Sequence, residues 1–286
     1  MAERSSPTVR RRELGQRLRE LRTNLDLTLE QVAARMLVSP TKISRIESGA
    51  RGVSLRDVRD LSEAYGVSDE EREQLMALTR QSRERAWWQE YDLPYQNYVG
   101  LEQVASSISE FNPSIVPGLL QTEEYAVALM DGMEIDEDRA ALRRQIEARI
   151  ARQAILTAVD APQFWAVVDE AVLRRVVGNA RVMAEQLRHV LVQAALPNVH
   201  VQVMPFEHGS YPGQNNTFIL LELDENHLSD VVYVEGLLGF FYLERSTDLR
   251  RYRRVLDRLR SDALSGRRSV ALIEDAAASF EARATT

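Results

Sequence analysis

Cysteine is absent from the 286 residues, so this chain can build neither a disulfide nor a thiolate zinc site. Histidine is almost as scarce: its four positions, His189, His200, His208 and His227, form no HExxH or other helical metal-ligand pair. The GxSxG, GxxxxGKS/T and GxGxxG patterns are all missing, which removes the starting points for hydrolase, nucleotide-binding and dinucleotide-binding readings. No apolar run reaches the ~18 to 20 residues that a membrane-spanning helix needs. The opening MAERSSPTVRRRELG has no apolar stretch after its charges, unlike a signal peptide. These absences predict a cytoplasmic protein with no cofactor, no metal and no catalytic role.

Lysine is nearly absent too, since Lys42 is the only one among 36 basic residues. What is present is ordinary for a globular protein, with 44% hydrophobic and 28% charged residues. A chain of this length suits roughly two domains of about 100 to 200 residues. Charge is unevenly shared between its parts. Residues 1–60 hold 13 basic against 8 acidic side chains, a net of +5, which leaves −12 on residues 61–286 of a chain whose total is −7. A basic head on an acidic body suits a head that meets a polyanion.

Five short helices are legible in the first 80 residues. Leu14, Leu18, Leu21 and Leu25 fall at spacings of four, three and four, an apolar stripe on one helix. Thr28 with Gln31 forms a capping box for a second, running through Val32, Ala33 and Met36. Ser39 is the N-cap of a third, Pro40 occupies its first position, Ile43 and Ile46 face inward, and Gly49 ends it. Ser54 and Asp57 open a fourth, which packs through Leu55, Val58 and Leu61 and ends at Gly66; Ser68 and Glu71 open a fifth, carrying Leu75 and Leu78. The very tight turn between the second and third helices forces a steep crossing, for which Ala33 is suitably small. That is a helix-turn-helix unit, whose second helix enters the major groove.

Residues 14–67, with VS before the third helix and then ISRIESG, resemble the lambda-repressor-like (Xre-type) five-helix DNA-binding domain. Two positions depart from that pattern. Leu29 stands where the family often has a phosphate-holding glutamine, and Leu37 where the turn often has glycine; a leucine forced to positive φ costs ~1 kcal/mol or more.

A helix in the major groove presents its N-terminal residues and those one turn later, here Pro40, Thr41, Lys42, Ser44 and Arg45. Arg45 is the candidate for bidentate reading of guanine, and Thr41 offers a hydroxyl and a methyl to a base edge. Lys42 reads guanine or neutralises phosphate. Ser39 at the helix N-terminus suits a phosphate oxygen, and Arg51, with Arg10 to Arg12, suits the backbone. Glu47 is expected to be structural, paired with an arginine of the first helix.

The expected layout is a helix-turn-helix domain at 9–80, an aromatic connector at 81–100 and an α+β domain at 101–286. Trp87, Trp88, Tyr91, Tyr95 and Tyr98 make the connector too aromatic for a flexible linker, so it is expected to pack on the second domain or between subunits. Residues 101–160 read as helical around an apolar loop, FNPSIVPGLL, with a helical run from Asp136 to Val159. FWAVVD (164–169), VHVQVMP (199–205), TFILLEL (217–223) and VVYVEG (231–236) read as strands, with a helix on Val182, Leu187, Val190 and Leu191 between the first two. Leu249, Tyr252, Leu256 and Leu259 mark a closing helix, whose arginines at 250–260 face solvent, an acidic partner or DNA. Asp131, Glu134, Asp136, Glu137 and Asp138 read as a solvated loop, Asp169 and Glu170 as acids opening a helix, His189 as structural or exposed, and His208 as a residue of a polar loop between strands, with pocket lining the lesser reading.

WWQEY (87–91), VPGLLQTEEYA (116–126), RRQIEARIARQAIL, DEAVLRRVVG and the QL in the 180s followed by VQVMP, in that order, are similar to the C-terminal domain of a large group of actinobacterial helix-turn-helix regulators. The resemblance implies an antitoxin-like regulator that binds double-stranded DNA and a small protein partner encoded nearby. The expected assembly is a homodimer reading a pseudo-palindrome; the alternative is a protein-interaction module that docks partners through its five helices.

Overall fold

The computed structural model describes residues 6–133, 138–224, 228–236 and 239–285. It divides into two compact units, Met1–Glu90 with Gln96–Val104 and Asp224–Leu228, and Tyr91–Tyr95 with Ala105–Leu223 and Ser229–Thr286.

The first unit is helical: α1 (Pro7–Asn24), α2 (Leu29–Arg35), α3 (Pro40–Glu47), α4 (Leu55–Tyr65), α5 (Asp69–Gln81) and α6 (Gln96–Glu102). Its helix starts are set by the side chains the sequence marked. Thr28 and Gln31 bond each other's backbone N–H reciprocally, at 2.8 and 3.3 Å. Ser39, Ser54 and Ser68 accept from the N–H groups of Lys42, Asp57 and Glu71. One core joins Leu14, Leu18, Val32, Ala33, Ile43, Ile46, Val58, Leu61 and Leu75. α1 begins earlier than its leucine stripe suggested, at Pro7, and Leu25 lies past its end, 48% exposed. Trp87, Trp88 and Tyr98 of the aromatic segment belong to this unit, with Trp88 and Tyr98 buried, whereas Tyr91 and Tyr95 belong to the second. The segment is therefore shared between the units.

The second unit is α+β, a six-stranded sheet with helices. Its strands are β1 (Ser107–Asn112), β2 (Gln163–Asp169), β3 (Val199–Met204), β4 (Phe218–Glu222), β5 (Val231–Gly236) and β6 (Gly239–Leu243), in the order β3-β2-β1-β4-β5-β6. β1, β2 and β3 run parallel; β4, β5 and β6 add antiparallel neighbours on the other side of β1. Its helices are α7 (Glu123–Met133), α8 (Arg139–Arg152), α9 (Glu170–Arg174), α10 (Ala180–Gln193), α11 (Ser246–Asp262) and α12 (Gly266–Ala284). Leu249, Leu256 and Leu259 of α11 cover one sheet face, against Phe111, Val167, Met204, Phe218 and Val232. α12 packs on α10 and on β3.

The four strands expected from sequence are present, but two others break the reading. β1, central in the sheet, interrupts the stretch read as helical at 101–160, and takes Phe111 and Asn112 from the apolar loop. The helical run begins at Arg139 within the described residues and gives way to a 3-10 turn at Gln153–Thr157. Asp138 caps α8 through the N–H groups of Ala140 and Ala141, and Asp131 is exposed; Glu134, Asp136, Glu137 and His227 lie outside the described residues.

The outer edge of β3 is closed by the chain itself. The N–H of Leu264 donates to the Val203 carbonyl at 2.9 Å, and the buried Ser269 hydroxyl accepts from the Val203 N–H at 3.0 Å.

Candidate nucleic-acid interface

α3 is held on its inner side and open on its outer side. Ile43 and Ile46 are each 2% exposed in the core, while Ser39, Pro40, Thr41, Ser44, Arg45 and Ser48 are exposed. Gly15 makes the close seating of this helix possible. A Cβ there would lie 2.5 Å from the Ile46 carbonyl oxygen and 2.7 Å from that of Glu47, so any larger residue would push the end of α3 off α1.

A buried ion pair fixes the same crossing. The guanidinium of Arg22 grips Glu47 through Nε–Oε1 at 2.7 Å and Nη2–Oε2 at 2.9 Å, and donates a third bond to the Leu27 carbonyl at 2.7 Å. This is the partnership expected of Glu47. Burial, and then the Glu47 carboxylate, push the nearby Tyr65 hydroxyl up to about 12.

The candidate DNA-contacting residues fall into three groups. Thr41, Ser44 and Arg45 share the open face of α3, and the N–H of Arg51 bonds back to the Arg45 carbonyl at 3.0 Å, folding that exposed residue onto the end of the helix. Among the described residues no carboxylate pairs with Arg45 or Arg51. Ser39 and Pro40 start the helix, also in the open. Lys42 stands apart: its ammonium bonds Asp57 Oδ1 at 3.1 Å, and Asp57 is tied to Ser54 at the start of α4. Burial raises the Asp57 carboxyl, but bonds from Ser54 and Lys42, with the ammonium's charge, outweigh it and hold the group below its ordinary value. Periodicity did not reveal this latch, because its partners lie on different helices.

Of the upstream arginines, Arg10 is 8% exposed and bonded to Glu13 at 2.9 Å, so it does not offer a surface cation. Arg11 and Arg12 are half-buried. Leu29 packs against the core rather than standing free for a phosphate.

Leu37 does adopt positive φ, +54°, and is 92% exposed. Its side chain gains almost no burial to offset that strain. Replacing it with glycine is expected to stabilise the first unit by roughly 0.5 to 1 kcal/mol, strain relief exceeding the entropy of a freer unfolded chain. Denaturant unfolding checks this, and a loss of stability in Leu37→Gly would contradict it.

In the second unit the VPGLLQTEEYA segment forms a buried polar knot. Gln121 donates to the Val116 carbonyl at 2.7 Å and accepts from Arg149, while Gln153 donates to the carbonyls of Gly118 and Gln121. Gln186 of α10 closes the knot from the other side, accepting from the Thr122 N–H at 2.8 Å and donating to the Leu120 carbonyl at 2.7 Å. Backbone groups that a loop would otherwise bury unpaired are thus satisfied by side-chain amides, the physical use of this glutamine-rich motif.

Asp169 opens α9, accepting from the Ala171 N–H at 2.7 Å, and takes a 2.5 Å bond from the Tyr211 hydroxyl. His208 lies 3.5 Å from Asp262, with its ring centre 6.3 Å from that of Tyr211. Burial lowers the pKa of half-buried His189. The arginines of α11 are not one face. Arg253 pairs with Asp230, Arg258 with Asp262 at 2.6 Å, and Arg260 lies 4.4 Å over the Trp165 ring while donating to Ser109 at 2.6 Å; Arg250, Arg251 and Arg254 stay exposed. No group of three or more His, Asp or Glu among the described residues is placed to hold a metal ion, and no described helix is long and apolar enough to cross a membrane.

No curated protein and no solved structure matches the chain. A family model described as a helix-turn-helix domain matches residues 13–75, the span that carries α2 and α3. A second, described as a domain of unknown function (DUF5753), matches residues 95–275, which hold the whole sheet and the glutamine knot. With more than half of its length in that match, and a helix-turn-helix domain ahead of it, the chain belongs to the DUF5753 family.

Proposed function

We propose that this protein is a sequence-specific transcriptional regulator, an Xre-type, antitoxin-like repressor that binds operator DNA as a homodimer. The observation that carries this reading is the open face of α3, with Thr41, Ser44 and Arg45 exposed on a helix seated by Gly15 and by the Arg22–Glu47 pair. Such a helix enters the major groove without deforming its own support, so little ordering is needed on binding. Arg45 reads a guanine through O6 and N7, Thr41 a neighbouring base edge, and Ser39 and Arg51 hold phosphates that set the register. Lys42 leaves or shares Asp57 when it meets the duplex. Two copies place their third helices in successive major grooves about 34 Å apart. The second unit receives a small protein partner or ligand that adjusts operator affinity; the reading assigns catalysis to neither unit.

Fluorescence anisotropy on the DNA upstream of the protein's own gene tests the proposal. Wild type is expected to prefer one pseudo-palindromic site over competitor duplex. Arg45→Ala should weaken binding roughly 5- to 150-fold, the equivalent of ~1 to 3 kcal/mol, and should erase discrimination at one base pair per half-site. Arg51→Ala should weaken all sequences alike and flatten the salt dependence. Wild type with no preference over competitor DNA would overturn the reading. Tight capture of a small protein with sequence-blind DNA binding would favour a docking module.

A further inference from the structure

Lys42 is the single lysine among 36 basic residues. It stands on α3 one turn before Arg45, and Asp57 Oδ1 holds its ammonium at 3.1 Å. That carboxylate is itself fixed. Its other oxygen, Oδ2, accepts from the Ser54 hydroxyl at 2.8 Å, and the Ser54 oxygen accepts from the Asp57 N–H at 3.0 Å. The Lys42 and Asp57 side chains are 24% and 26% exposed, so the pair is neither sealed in the core nor fully surrounded by water. An ammonium carries three N–H donors, and Asp57 takes one. Two remain, the number that guanine accepts at O6 and N7. Arginine suits this place less well, because its planar fork meets a carboxylate with two parallel N–H groups and the acid then fixes the plane of the rest.

We propose that Asp57 is a positioning residue for DNA recognition, holding the Lys42 ammonium as a reader of guanine O6 and N7 and keeping it off the phosphates. The two kinds of acceptor differ in charge. A phosphate that approaches the ammonium also approaches the Asp57 carboxylate, and the repulsion between the two anions opposes the contact. A guanine edge has no net charge and meets no such repulsion, so it takes the two free N–H groups while Asp57 keeps the third. The carboxylate also offsets the repulsion between Lys42 and Arg45, cations three residues apart on one helix. The inference rests on the operator-binding reading above and adds a second charged base reader to it.

Anisotropy titrations of the full chain against its operator, and against each single-base-pair change within a half-site, test this. Wild type should lose affinity ~5-fold or more at a guanine pair distinct from the one that Arg45→Ala makes indifferent. Asp57→Asn keeps an oxygen for Ser54 but releases the ammonium. Discrimination at that second pair should be lost. On competitor duplex the slope of log K against log salt should steepen by about 0.9, for one more phosphate neutralised. Lys42→Arg leaves α4 untouched and keeps the charge, yet should lose the same discrimination. Asp60→Asn is the control, an equal change of charge on the same helix at an acid tied to Arg56 and Arg59, and it should keep the wild-type base profile. Discrimination retained in Asp57→Asn or in Lys42→Arg would overturn the inference and leave operator binding standing. So would an Asp57→Asn protein weakened alike at every base, the mark of a merely structural acid. Wild type with no preferred sequence would overturn the operator reading, and this inference with it.

Discussion

Glu47→Ala is expected to destabilise the first unit by about 3 kcal/mol or more. The Arg22 and Glu47 side chains are only 11% and 6% exposed, so removing the carboxylate leaves a guanidinium out of water with one carbonyl partner, Leu27. Breaking a buried pair from one side typically costs ~3 to 5 kcal/mol, far more than the pair itself contributes. The asymmetry supplies a check. Replacing both partners, as in Arg22→Met with Glu47→Leu, should recover most of the loss, because no charge is then stranded. Native-state hydrogen exchange at Leu14, Leu18 and Ile43 reads the first unit separately from the second. Glu47→Ala within about 1 kcal/mol of wild type would show that the pair is solvated in solution, and a double variant as unstable as the single one would show that the loss is one of packing.

Gln186→Leu is the second large effect, expected in the other unit at roughly 2 to 4 kcal/mol. The amide is fully buried, and its two bonds are to backbone groups, the Thr122 N–H and the Leu120 carbonyl, which have no room to find water. Leucine keeps the volume and removes both partners, and an unsatisfied buried donor or acceptor costs ~1 to 3 kcal/mol each. Gln121→Leu should act in the same direction by freeing the Val116 carbonyl. The amides from Leu120 to Tyr125 should exchange faster in both variants, while those of the first unit keep their protection. Unchanged exchange in Gln186→Leu would mean that the segment is held by its apolar residues, Leu119 and Leu120, alone.

The first unit was largely legible because each helix start carries its own signal. Thr28, Ser39, Ser54 and Ser68 cap through bonds within four residues, so local sequence suffices to place them. The open face of α3 followed from the same locality, since burial of Ile43 and Ile46 sends Thr41, Ser44 and Arg45 outward. What escaped depends on residues far apart. Gly15 reads as an indifferent helix glycine until α3 is seen lying on it, and Asp57 reads only as a capping residue until Lys42 arrives. β1 escaped for a related reason. Its SISEFN buries Ser109, Glu110 and Asn112, polar residues that a central strand tolerates only because partners such as Arg260 come to them. β6 is five residues long and follows another apolar run closely, so alternation had too few positions to speak. The α+β class of the second unit survived these misses because four strands rich in Val, Ile and Phe were enough to declare it.

The strand order bears on how the protein is made. β1 emerges from the ribosome early, yet one of its two neighbours, β4, is encoded more than a hundred residues later, at Phe218–Glu222. At about 5 to 20 residues per second, that strand waits roughly 5 to 20 s with an open flank. α1 to α5 face no such delay, since their core closes once Leu78 has been synthesised. A nascent or prematurely terminated chain can therefore hold a finished helical unit while its sheet is unfinished, and translation arrest anywhere before Phe218 would separate the folding of the two units in time.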